Sequence, residues 1–176
     1  MARPKKAEQQ ELLAWQRDVR QGHPLALKGT KIFECSTTAL QIMRPIFDLY
    51  GCRVLRVWTW TVGIEEAKEL ARLYNKGAFG TAKFLVDTSF VKRLPEAYDT
   101  ICKQFGNVRN ISTHAKIYIV EGRTKSVAIL SSANLNRNTR CEFFHFVNDP
   151  EDIAAIVAKF ETLYGRKKER SKKARK

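Results

Sequence analysis

The chain has 176 residues, enough for one domain with a substantial core. Apolar residues make up 44% of it, and no run approaches the ~18–20 consecutive apolar residues of a membrane-spanning helix. The formal net charge of +14 is the strongest compositional feature and points to a polyanionic partner, because each phosphate that a basic side chain neutralises releases condensed counterions. Nucleic acid and an anionic membrane surface both satisfy that condition.

The first residues, Met-Ala-Arg-Pro-Lys-Lys, carry basic groups with no apolar stretch behind them, so no secretory leader is expected and a cytoplasmic setting is. Residues 1–30 read as a helical extension. From Ala7 to Arg20, Leu12, Trp15 and Val19 fall on one helical face, and Gln21-Gly22-His23-Pro24 ends the run. His23, just before a proline, reads as a solvated loop histidine. Lys31 to Cys35 reads as a first strand. Ser36-Thr37-Thr38 can cap a helix running to Tyr50, which Pro45 should bend or split. Arg53 to Thr61 is an apolar strand whose Trp58 and Trp60 point the same way, an arrangement expected of core side chains.

Ile64 to Asn75 carries Ala67, Leu70, Ala71 and Tyr74 at helical spacing, and Glu65-Glu66 suits its first turn. Thr81 to Val86 is another strand. Phe90 to Phe105 is largely helical, with Pro95 limiting where its first turn begins, and Asn107 to Ile111 is a short strand or linker. Asp149 to Tyr164 is a helix with Pro150 in its first turn and Ile153, Ile156, Val157, Phe160 and Leu163 on its apolar face. Strands alternating with helices predict an α/β layered domain over 31–164, its sheet mixed but mostly parallel and flanked by helices. No internal repeat is visible.

Two further features bear on chemistry. Cys35, Cys52, Cys102 and Cys141 are scattered, with no CxxC and no zinc-like spacing, so reduced thiols are expected and neither a metal nor a cofactor is. The segment 165–176 is almost devoid of apolar residues and reads as a disordered basic tail. Its Arg166, Lys167, Lys168, Arg170, Lys172, Lys173, Arg175 and Lys176 carry about half of the net charge and are candidate phosphate-backbone contacts.

The organising stretch runs from His114 to Glu142. His-Ala-Lys-Ile-Tyr-Ile-Val has the alternation and β-branched content of a strand, which would project His114 and Lys116 from the same face. Glu-Gly-Arg-Thr-Lys-Ser reads as a turn, and Val127 to Leu130 as a returning strand that delivers Ser131, Ser132 and Asn134. A third apolar run, Glu142 to Val147, places a carboxylate at its start. An imidazole, an ammonium, a hydroxyl, an amide and a carboxylate are thus expected at one end of a small sheet.

His114-x-Lys116, the acidic Glu121, Ser131-Ser132-Ala133-Asn134 and the downstream Glu142 resemble the HxK(x)4D…GSxN signature of the phospholipase D superfamily, and above all its single-motif bacterial and phage nucleases. The resemblance extends over the order of elements from Lys31 to Tyr164. It implies a phospholipase D-like fold and a metal-independent phosphodiesterase. By the same resemblance, His114 is the nucleophile, Lys116 with Ser132 or Asn134 binds phosphoryl oxygens, and Glu142 orients the imidazole. It also implies a homodimer, because a lone motif needs a symmetry mate to supply a second histidine. Glu121 stands where the signature has aspartate and Ser131 where it has glycine, and the hairpin between them is longer than usual. Strand parity turns Glu121 away from the reactive pair, a structural position, and does the same for His145. DNA is the favoured substrate over RNA. A catalytically silent nucleic-acid-binding protein on the same fold and a phospholipid-hydrolysing enzyme are the competing readings.

Overall fold

A computed structural model describes residues 6–33, 37–137 and 140–166. Its centre is a seven-stranded sheet in the order β1-β7-β6-β5-β2-β3-β4. The strands are β1 (Gly29–Phe33), β2 (Val54–Thr59), β3 (Thr81–Asp87), β4 (Val108–Ile111), β5 (Ile117–Glu121), β6 (Ser126–Ser131) and β7 (Glu142–Val147). The helices are α1 (Lys6–Arg20), α2 (Ala39–Tyr50), α3 (Ile64–Asn75), α4 (Phe90–Arg93), α5 (Pro95–Phe105) and α6 (Pro150–Gly165). Among them, no helix is long and apolar enough to cross a membrane.

The sheet is mixed, but the expectation of a mostly parallel one is corrected. Only β2–β3 and β3–β4 run parallel; β1–β7, β7–β6, β6–β5 and β5–β2 are antiparallel. The cause lies in the connections. Parallel neighbours need a crossover, which α3 and the α4–α5 pair supply. No helix separates β5, β6 and β7, so these strands fold back on one another. The β5–β6 turn is tight at Gly122, where an added Cβ would sit 2.1 Å from the Lys125 carbonyl oxygen.

Alternation along the strands divides the core in two. Leu55, Val57, Phe84, Tyr118, Val120, Ile129 and Phe144 face α1, α2, α3 and α5. Leu85, Ile119 and Ala128 face α6, which packs Ile153 and Phe160 against them. The N-terminal helix joins the first core through buried Leu12, Trp15 and Val19, and Trp15 stacks on Phe146 with ring centroids 5.6 Å apart. The first strand begins at Gly29, two residues ahead of the expected boundary.

Of the two expected effects of Pro45, a split does not occur: α2 runs through it unbroken. Its missing N–H should leave the Gln41 carbonyl without a helical donor. That carbonyl instead accepts a hydrogen bond from Gln16 Nε2 of α1 at 3.0 Å. Thr38 caps the helix with a capping box to Gln41. Pro95 does divide the Phe90–Phe105 run, opening α5 at its first position.

Candidate active site

The His114–Lys116 segment is not part of a strand, as the alternation had predicted; β5 starts at Ile117, one residue later. Its partner β2 ends its pairing with β5 at Trp58, opposite Ile117, so the ladder stops there. Hydrogen bonds from neighbouring elements hold the segment in its place. Thr113 N–H donates to Asp87 Oδ2 at 3.0 Å, Trp58 Nε1 donates to Thr113 Oγ1 at 2.7 Å, and Ser131 N–H donates to the Lys116 carbonyl at 2.9 Å. His114 itself is exposed.

Lys116 is half-buried, with Nζ 3.2 Å from His114 Nδ1 and donating to the His114 carbonyl at 2.8 Å. Burial lowers its pKa from the ordinary lysine value, while the charge of Glu142 acts in the opposite direction. Glu142 is buried and accepts a hydrogen bond from the Ser132 hydroxyl, which itself accepts from Phe143 N–H at 3.1 Å. The Asn134 amide oxygen accepts from Thr59 Oγ1 at 3.2 Å. Tyr118, wholly buried, donates to the Ala133 carbonyl at 2.7 Å and fixes the turn between Ser132 and Asn134. Burial pushes its phenol pKa up, so at neutral pH it serves as a neutral donor.

His114, Lys116, Ser132, Asn134 and Glu142 therefore gather at one end of the sheet. The ammonium touches the imidazole, and the hydroxyl touches the carboxylate. Fixed donors and a partly desolvated cation at one point suit the stabilisation of a phosphoryl group. Among the described residues, no three His, Cys, Asp or Glu side chains gather as a metal centre would need.

The positions that depart from the signature are both accommodated. Ser131 is the last residue of β6; its hydroxyl donates to the Phe143 carbonyl at 2.8 Å and accepts from Ala133 N–H at 2.9 Å. No described non-glycine residue has a positive φ, so Ser131 needs no left-handed backbone. Glu121 lies on the α6 side and pairs with Arg56. His145 lies on the face opposite Glu142, with Nδ1 2.9 Å from Thr30 Oγ1. Of the expected tail 165–176, Gly165 closes α6 and Arg166 is exposed; Lys167, Lys168, Arg170, Lys172, Lys173, Arg175 and Lys176 lie outside the described residues, as does Cys35.

Other residues at this end were not legible as site residues. Trp58 stays half-buried, edge-on to Phe160 under α6. Trp60 is not core, as its parity had predicted, because β2 ends at Thr59 and the chain turns; its ring stands 5.6 Å from that of His114. Asp87 accepts from Ser89 N–H at 2.8 Å as well as from Thr113. Partial burial of Asp87 opposes ionisation, but a hydrogen bond from the Ser89 hydroxyl and those from Thr113 and Ser89 N–H outweigh it and hold the carboxyl below its ordinary pKa. An aspartate closing a strand, followed by Thr-Ser, was the available signal. A groove of about 910 Å³ lies elsewhere, at the opposite end of the sheet, lined by His23, Leu27, Lys28, Arg53, Lys125 and Val157; of the motif positions it meets Glu121 but not His114, Lys116, Ser132, Asn134 or Glu142.

No family model and no curated protein matches the chain. Solved structures do. Phosphatidylserine synthase from Haemophilus influenzae Rd KW20 aligns with a TM-score of 0.51 and 16% identity over 76% of this chain and 37% of its own. The archaeal chromatin protein TrmBL2 aligns at 0.52 and 12% identity over 88% of this chain and 62% of its own. Polyphosphate kinase from Porphyromonas gingivalis aligns at 0.47 and 14% identity over 90% of this chain and 22% of its own. The chain spans less than two thirds of each. At these identities the likeness to the synthase and the chromatin protein concerns the fold alone, a mixed sheet flanked by helices.

Proposed function

We propose that the chain is a phosphodiesterase of the phospholipase D type that cleaves nucleic acid, DNA in preference to RNA, without a metal ion. In this reading a ring nitrogen of His114 attacks phosphorus, and a P–N bond forms as the bond to the leaving sugar oxygen breaks. That oxygen takes a proton. Water then attacks the phosphohistidine, the P–N bond breaks, and the imidazole is restored. Lys116, with Ser132 or Asn134, meets the non-bridging oxygens, and Glu142 orients the imidazole. The leaving-group proton comes from the His114 of a second copy across a twofold axis, so the active form is a homodimer. The basic segment from Arg166 onwards follows the phosphate backbone beyond the site.

The observation that carries this reading is the half-buried Lys116 ammonium held 3.2 Å from the His114 ring, at the same end of the sheet as the Ser132–Glu142 pair. A catalytically silent DNA-binding protein is the second reading, favoured by the fold likeness to a chromatin protein that binds DNA. Incubation with single- and double-stranded DNA, RNA and phosphatidyl lipid vesicles in EDTA separates them. The expected result is cleavage of nucleic acid that persists in EDTA and falls by roughly three orders of magnitude or more in His114→Ala. Activity that returns only with divalent ions, or cleavage of the lipid alone, refutes the proposal. Binding without any cleavage supports the silent reading.

A further inference from the structure

Beside His114 stands a cation that none of the motif positions includes. Arg93, the last residue of α4, lays its guanidinium carbon 3.7 Å from the centroid of the Trp60 ring, a cation–π contact. Its Nη2 donates to the Trp60 carbonyl at 3.2 Å and its Nε to Ser89 Oγ at 3.0 Å. Three contacts thus fix the plane of an exposed side chain that would otherwise sample many rotamers.

The same support reaches His114. Asp87 accepts from Ser89 N–H through one oxygen and from Thr113 N–H through the other, so one carboxylate braces both the start of α4 and the residue preceding His114. The Trp60 ring neighbours both groups, its centroid 5.6 Å from that of the imidazole. Guanidinium and imidazole are therefore separated by less than the two ring contacts laid end to end. That upper limit is on the scale of neighbouring phosphates on one strand, which rise about 3.4 Å apiece along the axis and stand further apart through space.

A guanidinium carries five N–H groups, and hydrogen bonds within the described residues engage two of Arg93's. The remainder form a planar fork matched to phosphate oxygens. Neighbouring Lys92 is exposed too, and among the described residues its backbone N–H donates to the Ser89 carbonyl.

We infer that Arg93, stacked on Trp60, binds a second phosphate of a polynucleotide, the one flanking the phosphate held at His114, and so makes the site select a phosphodiester chain over a ligand with one phosphate. The inference rests on the His114 end being the substrate site. Trp60 and Asp87 act here as positioning residues for Arg93.

The test is isothermal titration of full-length His114→Ala, which removes the nucleophile, with a thymidine dinucleotide bearing one phosphodiester and a trinucleotide bearing two. The expected result is that the trinucleotide binds roughly ten- to a hundredfold more tightly. Arg93→Ala should collapse that ratio to within a few-fold of one, and Arg93→Lys should not restore it. Lys92→Ala should leave it in place. An unchanged ratio in Arg93→Ala overturns the inference, as does an equal drop in Lys92→Ala, or no binding of either ligand. Failure of the wild-type chain to cleave in EDTA would refute the nuclease reading without touching this ratio. Cleavage accompanied by an Arg93-independent ratio would refute only the flanking-phosphate site.

Discussion

Two groups of charged side chains sit on this sheet, and they differ in how fully each charge is matched. Under α6, Arg56 of β2 and Lys83 of β3 lie side by side in register, between Glu121 and Glu161. Arg56 pairs with Glu121 and, at 2.7 Å, with Glu161, while Lys83 reaches Glu161 at 3.0 Å. Two cations thus meet two carboxylates, and the Arg56 side chain is only 9% exposed. At the motif end, burial lowers the pKa of Lys116 in spite of the nearby Glu142 charge, so its surroundings compensate the ammonium incompletely. A buried charge with matched partners holds structure together. A desolvated cation short of compensation favours an incoming anion, and only the second arrangement suits phosphoryl chemistry.

Removing Lys116 is the strongest way to break that contrast. Lys116→Ala should lower single-turnover cleavage by roughly 10²–10³-fold, the usual cost of losing one transition-state donor, with little change in thermal melting. Arg56→Met should do the opposite. It leaves Glu121 and Glu161 without their shared guanidinium, so urea unfolding should show a loss of about 3 kcal/mol while cleavage stays within a few-fold. If both variants lost stability equally, the distinction between a structural and a catalytic cation would fail.

Titration sharpens the same comparison. Partial burial of Glu161 opposes ionisation, but hydrogen bonds from Arg56 and Lys83 outweigh it and hold its pKa below the ordinary 4.5. The folded carboxyl is thus the stronger acid. Its contribution to stability is present above the unfolded value and is lost as pH falls through the folded one. Glu161→Gln should therefore flatten the acid limb of urea midpoints against pH. Lys116 has the same slope in an alkaline window, but there the fold disfavours the charged form, so the rise is the relief of a penalty. Its folded pKa lies below 10.5, so between the two values the unfolded chain binds more protons and stability rises with pH. That alkaline rise should disappear in Lys116→Ala.

The parts of this molecule that were legible in the sequence are those written in local spacing. The limits of α3 agree with the predicted Ile64–Asn75 run, and β7 with Glu142–Val147, because helical and strand periodicities end abruptly at Gly63, Lys76 and Asn148. Strand direction was not legible in this way. It depends on which strands are joined by helices, and the unhelical β5–β6–β7 run turned most of the sheet antiparallel. The motif residues could be located from spacing. Their supports could not: Asp87, Trp60 and Thr59 come from other strand ends, and only the parallel β2–β3 pairing brings them together. Parity also misplaced Trp60, since it holds only as far as a strand continues. For Glu121 parity held, because β5 runs unbroken to that residue.

Glu121 gives the smallest and most discriminating test. It pairs across the sheet with Val54, yet its carboxylate meets Arg56, two residues further along β2, so the side chain must reach diagonally. Aspartate, the residue of the phospholipase D signature, is shorter by one carbon–carbon bond, about 1.5 Å. Glu121→Asp should draw the carboxylate away from Arg56 but leave the Arg56–Glu161 pair in place. Glu121 keeps about a fifth of its side-chain surface in water, so the loss should be below about 1 kcal/mol. The urea midpoint should fall slightly with an unchanged slope, and cleavage should match that of the wild type. A tenfold change in cleavage in either direction would tie Glu121 to the chemistry through the strand it shares with the motif. The compensated cluster could then no longer be treated as structural alone.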